Sequence, residues 1–340
     1  MRRSILVMLC GLLSLGISSP ALDRAIAGGT QAEAVIVAHS RQFQKALAKG
    51  DASGCLSLAL PNATWFGFTG EDSVAFPAMV RLVKGGSLNT GVVVSREVSS
   101  YGTAAVAHEI THSGPEELSP VRRSLFWTQH NGQWKLAHIH SSPYQAWQKE
   151  IARFEEQDQQ ETPKPGGVVF VGSSSIRDWK TLQQDFPATN VIGRGFGGSE
   201  LIDSIAYAPR IVTNYQPRAV AVYAGDNDIA RGKKAARVFR DFRRLVEVIH
   251  RRSPQARIGF IAVKPSIKRW NLWPEMKRAN SLIHQYASGH ERIAYLDIAT
   301  PMLGTRGMPR EDLFVEDGLH LNRKGYELWA SVVRSWLTDR

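Results

Sequence analysis

The C-terminal half of the chain alternates short apolar runs with longer amphipathic segments. The apolar runs are rich in β-branched residues, and the segments between them carry apolar residues at helical spacing. Five runs are predicted as strands, at 168–171, 190–192, 219–223, 257–263 and 293–298. Helices are predicted at 236–251, 274–288 and 322–337. Continuous rather than alternating hydrophobicity indicates parallel strands that are buried on both faces, so the pattern predicts a three-layer α/β sheet.

The N-terminal half follows a different pattern, in which one helix precedes mostly strands. Residues 34–47 carry apolar residues at helical spacing. Further along, Asn131-Gly132 separates two apolar segments, which is a strong signal for a two-residue hairpin turn. Such a turn would place Trp127 opposite Leu136, with His138 on the same face of the hairpin. This half is therefore predicted to be a smaller α+β domain.

The two patterns divide the 340 residues into predicted segments, and this length is enough for two domains with separate cores. A charged helix is expected at 145–160, and the Pro and Gly residues that follow it are typical of a linker. The predicted boundaries are a signal peptide at 1–27, an α+β domain at 32–144, a helix and linker at 145–166, and an α/β domain at 167–340.

The first residues resemble a secretory signal peptide. Two arginines precede an apolar stretch at 5–17, which is too short to span a bilayer, and small residues give cleavage sites after Ala21 or Ala27. Only Cys55 would remain after cleavage, so no intramolecular disulfide is expected. No other stretch approaches transmembrane length. We therefore expect an exported bacterial protein that is periplasmic or secreted.

The chain is basic, with 42 Lys and Arg against 31 Asp and Glu and a formal net charge of +11. This charge favours attraction to an anionic surface, such as the cell envelope. The basic residues are scattered and are not interleaved with aromatic residues in one block. A solvated basic surface is the simpler interpretation, and no nucleic-acid partner is expected.

Four glycine-rich polar motifs follow or lie beyond the predicted strands. They are GSSS at 172–175, RGFGGS at 194–199, GDND at 225–228 and DGLH at 317–320. Because the carboxyl ends of parallel strands meet at one edge of a sheet, we expect these motifs to form one site. Their order and spacing resemble those of the SGNH family, also called GDSL-type hydrolases, which implies a flavodoxin-like three-layer fold and a serine esterase.

The resemblance assigns a role to each residue of the expected site. Ser174 would be the nucleophile that forms an acyl-enzyme, His320 the general base and acid, and Asp317 the residue that orients His320. The backbone N–H groups of Ser174 and Gly198 and the side-chain amide of Asn227 would bind the oxyanion. The first motif departs from the family's Gly-Asp-Ser, because Ser173 replaces the aspartate.

The N-terminal domain resembles the SnoaL-like or ketosteroid-isomerase-like α+β cone. The resemblance rests on the leading helix, on KGDASGCLSLALPNATWFG and on the closing hairpin LFWTQHNGQWKLAHIH. An accessory or binding domain is expected. Four histidines were considered as metal ligands, at positions 108, 112, 138 and 140. Since no cysteine or carboxylate cluster accompanies them, ordinary strand histidines are the preferred interpretation and no metal is expected.

The natural substrate is the least constrained part of the prediction. Trp270 and Trp273 have aromatic faces that suit a sugar or acyl group, although packing of the next helix explains them equally well. Export and positive charge favour a short O-acyl ester on a glycan or lipid of the cell envelope. The serine mechanism requires no cofactor. The alternatives are an acyltransferase with the same site, or a catalytically silent protein that binds carbohydrate or another ligand.

Overall fold

The computed structural model describes residues 30–66, 74–76, 91–113 and 119–338. The predicted signal peptide lies outside the described residues. Within these four ranges, the structure contains no helix that combines the length and apolar character needed to cross a membrane.

The N-terminal region combines two helices, α1 (Gln31–Ala48) and α2 (Ala52–Leu58), with a six-stranded sheet. The strands are β1 (Ala59–Phe66), β2 (Val74–Ala75), β3 (Val92–Tyr101), β4 (Ala104–Ser113), β5 (Ser119–His130) and β6 (Gln133–Pro143). Their spatial order is β2-β1-β6-β5-β4-β3. Neighbouring strands are antiparallel except for β1 and β6, which are parallel. The predicted α+β architecture is confirmed.

Helix α1 covers one face of this sheet. Its first turn is held by a capping box, in which Thr30 and Glu33 each accept a hydrogen bond from the other's backbone N–H. Ile36 and Phe43 are fully buried in a core that includes the indole of Trp127 from β5. The apolar face of α1 and the alternating apolar residues of the strands thus form one core.

The closing hairpin has the predicted turn, but one of its side chains, that of His138, lies on the opposite face of the sheet from the one predicted. Asn131 and Gly132 have φ angles of 50° and 76°, and Trp127 lies opposite Leu136 as expected. A bulge then shifts the register, so that the next pair joins Phe126 to His138. The prediction that His138 shares the face of Trp127 and Leu136 is wrong, because the extra residue of a bulge reverses the alternation of side chains.

The C-terminal region contains a five-stranded parallel sheet between two layers of helices. Its strands are β7 (Val168–Gly172), β8 (Val191–Gly195), β9 (Ala219–Tyr223), β10 (Arg257–Ile261) and β11 (Ile293–Leu296). Its helices are α4 (Ser174–Arg177), α5 (Leu182–Asp185), α6 (Leu201–Ile211), α7 (Asp226–Ala230), α8 (Ala235–Arg252), α9 (Trp273–Ser288) and α10 (Arg323–Thr338). The spatial order, β11-β10-β9-β7-β8, is the flavodoxin-like order of a doubly wound sheet. The predicted fold class is confirmed.

Both faces of this sheet are covered, which explains the continuous hydrophobicity of its strands. Val169 and Val171 of β7 belong to a core that contains apolar residues of α6, α8 and α9. Val168 and Phe170 point to the other face, where they join a core formed with α10. All four side chains are fully buried.

The segment between the two regions packs onto the C-terminal region. Helix α3 (Gln148–Gln160) buries Ile151 and Phe154 in the core that also contains α6 and α8. Arg210 of α6 donates two hydrogen bonds to the Glu155 carboxylate of α3, one from Nε and one from Nη2, each at 2.7 Å. The predicted helix is therefore part of the C-terminal core.

The N-terminal sheet also contacts this core. Val94, Ile110 and Tyr144 are buried there together with residues of α6. His112 of β4 is fully buried, and its ring lies against the backbone of α6 near Ile205. Burial, assisted by the positive charge of Arg251, lowers the pKa of this imidazole to about 4.

This burial predicts a loss of stability in acid. His112 is protonated near pH 6.5 in the unfolded chain but only near pH 4 in the folded chain. The free energy of unfolding is therefore not reduced by this group above pH 6.5, and it falls as the pH drops below that value, because the unfolded chain binds the proton first. Between pH 7 and pH 4.5 the loss should reach about 2 kcal/mol. Chemical denaturation of wild type and His112→Asn at both pH values would measure it, since the variant should lack this loss. The exposed His108 provides a matched control, and an equal effect of His108→Asn would contradict the assignment.

Candidate active site

Three loops at the carboxyl edge of the parallel sheet bring polar side chains together. Ser174 follows β7 as the first residue of α4, and Asn227 follows β9 in the first turn of α7. His320 lies just before α10. Strands β7 and β9 are neighbours at the point where the strand order reverses, which is where sites form in doubly wound sheets.

Asp317, His320 and Ser174 form a continuous chain of hydrogen bonds. The Nε2 atom of His320 lies 3.0 Å from Ser174 Oγ, and its Nδ1 atom lies 2.5 Å from Asp317 Oδ2. With Nδ1 donating to the carboxylate, Nε2 is the nitrogen that accepts from the serine hydroxyl. This arrangement can take a proton from Ser174 and stabilise the resulting imidazolium.

The carboxylate of Asp317 is held by the turn that it belongs to. Its Oδ1 atom accepts hydrogen bonds from the backbone N–H groups of Leu319 at 2.8 Å and His320 at 2.9 Å. Partial burial would raise the pKa of Asp317, but these two backbone donors and the His320 ring outweigh it and lower that pKa to about 2. Asp317 is therefore ionised at any pH near neutrality.

The three consecutive serines have different surroundings. The Ser174 side chain is half-buried and faces His320, whereas Ser173 is fully buried and its backbone N–H donates to the Tyr223 carbonyl at 3.1 Å. Ser175 is buried, and its Oγ accepts from Lys264 Nζ at 3.0 Å. Of these three hydroxyl groups, only that of Ser174 lies within hydrogen-bonding distance of His320.

A glycine is required immediately before the serines. Gly172 has a φ of 147°, and a Cβ added there would lie 1.8 Å from the carbonyl oxygen of Tyr223. The β7 loop can cross the end of β9 only because this side chain is absent. The crossing places Ser174 beside the loop that carries Asn227.

Asn227 has a defined amide orientation. Its Oδ1 atom accepts from Arg269 Nη2 at 3.0 Å, which identifies this atom as the oxygen because arginine is only a donor. Its Nδ2 atom donates one hydrogen to the Ser199 carbonyl at 2.9 Å. The second amide hydrogen is available to a bound group, and only 8% of the residue is exposed.

The loop after β8 carries Gly198, the other residue predicted to offer a backbone N–H to the oxyanion. Gly198 is half-buried and has a φ of 82°, a left-handed conformation that glycine adopts without strain. Two contacts from the residues that follow anchor this loop. Ser199 Oγ donates to the Gly172 carbonyl at 3.3 Å, and the Leu201 N–H donates to Asp228 Oδ2 at 3.2 Å.

Residues 167–328 match the model of the GDSL-like Lipase/Acylhydrolase family. This region is a GDSL-like lipase/acylhydrolase domain. The chain is therefore a carboxylic ester hydrolase, and the predicted family and enzyme class are confirmed.

Individual proteins are similar to different parts of the chain. Platelet-activating factor acetylhydrolase IB subunit alpha1 of Bos taurus is 28% identical over 172 residues, which cover 47% of this chain and 69% of that protein. The structure of a protein from Streptococcus pneumonia, named for platelet activating factor, is 16% identical with a TM-score of 0.51, and the match covers 56% of this chain and 92% of that one. An NTF2-like protein of unknown function from Pseudomonas putida KT2440 is 21% identical with a TM-score of 0.31. The match covers 34% of this chain and 87% of that one.

Two charged residues beneath the hydrolase site were missed by the sequence analysis. Arg269 holds Asn227 and also donates to Asp226 Oδ2 at 3.1 Å. Lys264 is buried, with Nζ 2.8 Å from the Tyr223 hydroxyl and 3.0 Å from Ser175 Oγ. Burial lowers the pKa of Lys264, although the Asp226 carboxylate opposes this shift. The sequence could have indicated both residues, because they follow the predicted strand that became β10 and so lie at the same edge of the sheet as the motifs.

The two tryptophans named as substrate-binding candidates stack on each other. The ring centroids of Trp270 and Trp273 are 6.0 Å apart, with an interplanar angle of 14°. Trp273 is half-buried and packs against the cores on both faces of the sheet. Trp273 therefore has the packing role given above as the alternative to substrate binding. Contact of either tryptophan with substrate stays a prediction.

The four histidines of the N-terminal region have separate environments. His138 Nδ1 lies 2.7 Å from Thr64 Oγ1, and His108 Nδ1 lies 3.0 Å from Ser124 Oγ. His140 contacts the ring of Phe66, and His112 is buried against α6. Among the described residues, no cluster of three or more His, Cys, Asp or Glu side chains has a geometry suited to a metal ion.

The Arg269 contact predicts a positioning effect on Asn227. Arg269→Ala should lower kcat for p-nitrophenyl acetate about 10- to 100-fold with a smaller change in KM, because the Asn227 amide loses the bond that fixes its orientation. In an Asn227→Ala background the same change should have little further effect. Steady-state kinetics of the two single variants and the double variant would measure this. Fully multiplicative losses would contradict a role through Asn227.

Proposed function

We propose that the chain is an exported serine esterase that hydrolyses a short O-acyl ester through Ser174, His320 and Asp317. The observation that carries this proposal is the hydrogen-bonded chain from Asp317 through His320 to Ser174, with 2.5 Å and 3.0 Å between the successive heavy atoms. Nucleophile, base and orienting carboxylate stand in the order that acyl transfer requires.

The first half of the reaction forms an acyl-enzyme. Ser174 Oγ attacks the acyl carbonyl carbon while His320 Nε2 takes its proton. The carbonyl oxygen becomes an oxyanion that accepts from the N–H groups of Ser174 and Gly198 and from the free amide hydrogen of Asn227. When the intermediate collapses, the bond to the alcohol oxygen breaks, and His320 returns the proton to that oxygen.

The second half releases the acid. Water attacks the acyl-enzyme carbonyl while His320 accepts its proton, and the same three donors bind the second oxyanion. Collapse breaks the bond to Ser174 Oγ, which recovers the proton from His320. Asp317 remains ionised throughout, since its pKa of about 2 lies far below that of an ordinary histidine. If another alcohol replaces water, the same steps give an acyltransferase.

Two observations support a short acyl group on an envelope component. The curated relative from Bos taurus is named an acetylhydrolase, so a two-carbon acyl group is the appropriate first substrate for this chain. The net charge of +11 favours approach to anionic glycans or lipids. Export, which this part of the proposal requires, rests on the basic and apolar pattern of the first 27 residues.

Turnover of p-nitrophenyl acetate and butyrate tests the assignment of the nucleophile. Ser174→Ala should lower kcat at least about 10³-fold, because among the three consecutive serines only Ser174 has its hydroxyl within hydrogen-bonding distance of His320. Ser173→Ala is the matched control and should stay within about tenfold of wild type, since its buried hydroxyl does not face His320.

Loss of activity in Ser173→Ala, with Ser174→Ala still active, would show that the wrong serine is assigned. An inactive wild type that forms no acyl-enzyme would favour the catalytically silent binding protein. Faster turnover on addition of a second alcohol, with formation of the new ester, would identify an acyltransferase.

A further inference from the structure

The segment that precedes the hydrolase domain places a side chain beside Gly198. Trp147 lies at the start of α3, upstream of the region 167–328 that matches the hydrolase family. A Cβ added to Gly198 would lie 3.2 Å from Cη2 and 3.7 Å from Cζ2 of this indole. The indole edge therefore borders the space that a side chain at position 198 would occupy, next to the glycine whose N–H is assigned to the oxyanion.

Several contacts hold the indole in this position. The Trp147 side chain lies near the buried carboxylate of Asp203 on α6. The ring also meets Phe196 edge-on, with centroids 6.0 Å apart and an interplanar angle of 64°. Phe196 is fully buried, so this contact fixes Trp147 to the rigid part of the β8 loop.

The backbone of Trp147 is in an unfavourable conformation. Its φ of 64° and ψ of 11° are left-handed, which costs a bulky residue on the order of 1–3 kcal/mol. The neighbouring carbonyl of Ala146 accepts from the hydroxyl of Tyr207, so the turn is anchored on both sides. Strain that the surrounding structure maintains is a reason to examine a residue for function.

The chemistry of the reaction decides which part of an ester meets this indole. The reacting carbon carries Ser174 Oγ, the oxyanion, the alcohol oxygen and the acyl chain. The alcohol oxygen must approach His320 Nε2 to receive its proton, and the oxyanion occupies the site between Gly198 and Asn227. The acyl chain is the remaining substituent and leaves the carbon away from His320, and we take it to pass beside Gly198.

Arg231 closes the same side of the site. Its Nη2 atom would lie 3.9 Å from the Cβ added to Gly198, and its guanidinium is paired with the Glu200 carboxylate. A bulky indole and a paired arginine thus lie at one glycine. We expect these two side chains to restrict the space for a long apolar chain.

We propose that Trp147 is a specificity-determining residue that limits the length of the acyl group. The inference rests on the proposed function and extends it, because it assigns the short-acyl preference to a residue outside the family-matched region. The interdomain segment then completes the substrate site as well as connecting the two regions.

Acyl-chain profiles test this proposal. We would measure kcat/KM for p-nitrophenyl acetate, butyrate, hexanoate and octanoate with wild type, Trp147→Ala and Trp147→Phe. Wild type should prefer acetate and butyrate. Trp147→Ala should raise the ratio of octanoate to acetate at least about tenfold, since each additional methylene can then be accommodated. Trp147→Phe retains a ring at this position, so its octanoate-to-acetate ratio should lie between those of wild type and Trp147→Ala.

Controls separate a local effect from a general one. Tyr101, which is 69% exposed on the N-terminal sheet, provides an aromatic control, and Tyr101→Ala should leave the profile unchanged. A series of acetate esters with longer alcohols should respond to Trp147→Ala by less than about threefold. Thermal melting would show whether the variants are folded. If Trp147→Ala does not fold, the acyl-chain profile of Trp147→Phe tests the proposal instead.

The outcomes distinguish the two proposals. An unchanged acyl profile in folded Trp147 variants, with turnover that still depends on Ser174, would overturn the role of Trp147 and leave the esterase intact. A change only in the alcohol series would also overturn it, because the indole would then contact the leaving group. Absence of turnover in wild type would overturn the esterase proposal and this inference with it.

Discussion

The carboxylate of Asp317 is the group on which the geometry of the site depends. It accepts three hydrogen bonds from its own turn, from the N–H groups of Leu319 and His320 and from the His320 ring. Three donors on one carboxylate keep it ionised and fix the imidazole in a single orientation. The remaining ring nitrogen then faces Ser174, which the β7 loop presents because Gly172 can pass the Tyr223 carbonyl.

Asn227 and the loop after β8, which carry the proposed oxyanion donors, are held by a second network. Asn227 is bound on its oxygen by Arg269 and on one amide hydrogen by Ser199. Asp228 accepts from the Leu201 N–H at the start of α6, which joins the β9 loop to the β8 loop. Ser199 Oγ also donates to the Gly172 carbonyl of the β7 loop, so the geometry of the site depends on packing of all three loops against the end of one sheet.

Much of this arrangement could be predicted from the sequence, because it depends on local patterns. The strand 219–223 coincides with the observed β9, since a short apolar run between turn residues leaves little freedom in its limits. The face of His138 was wrong because a bulge is a local irregularity that alternation does not reveal. Arg269 and Trp147 were missed because their contacts with Asn227 and Gly198 join residues far apart in the chain.

Covalent labelling of the proposed nucleophile, Ser174, is the decisive measurement. The chain would be treated with a short-chain fluorophosphonate, in which an activated serine oxygen displaces fluoride from phosphorus, and digested for mass spectrometry. We expect a single phosphonyl group on Ser174 and much slower labelling of the His320→Ala variant. A label on Ser173 or Ser175, or no label on the active wild type, would contradict this assignment.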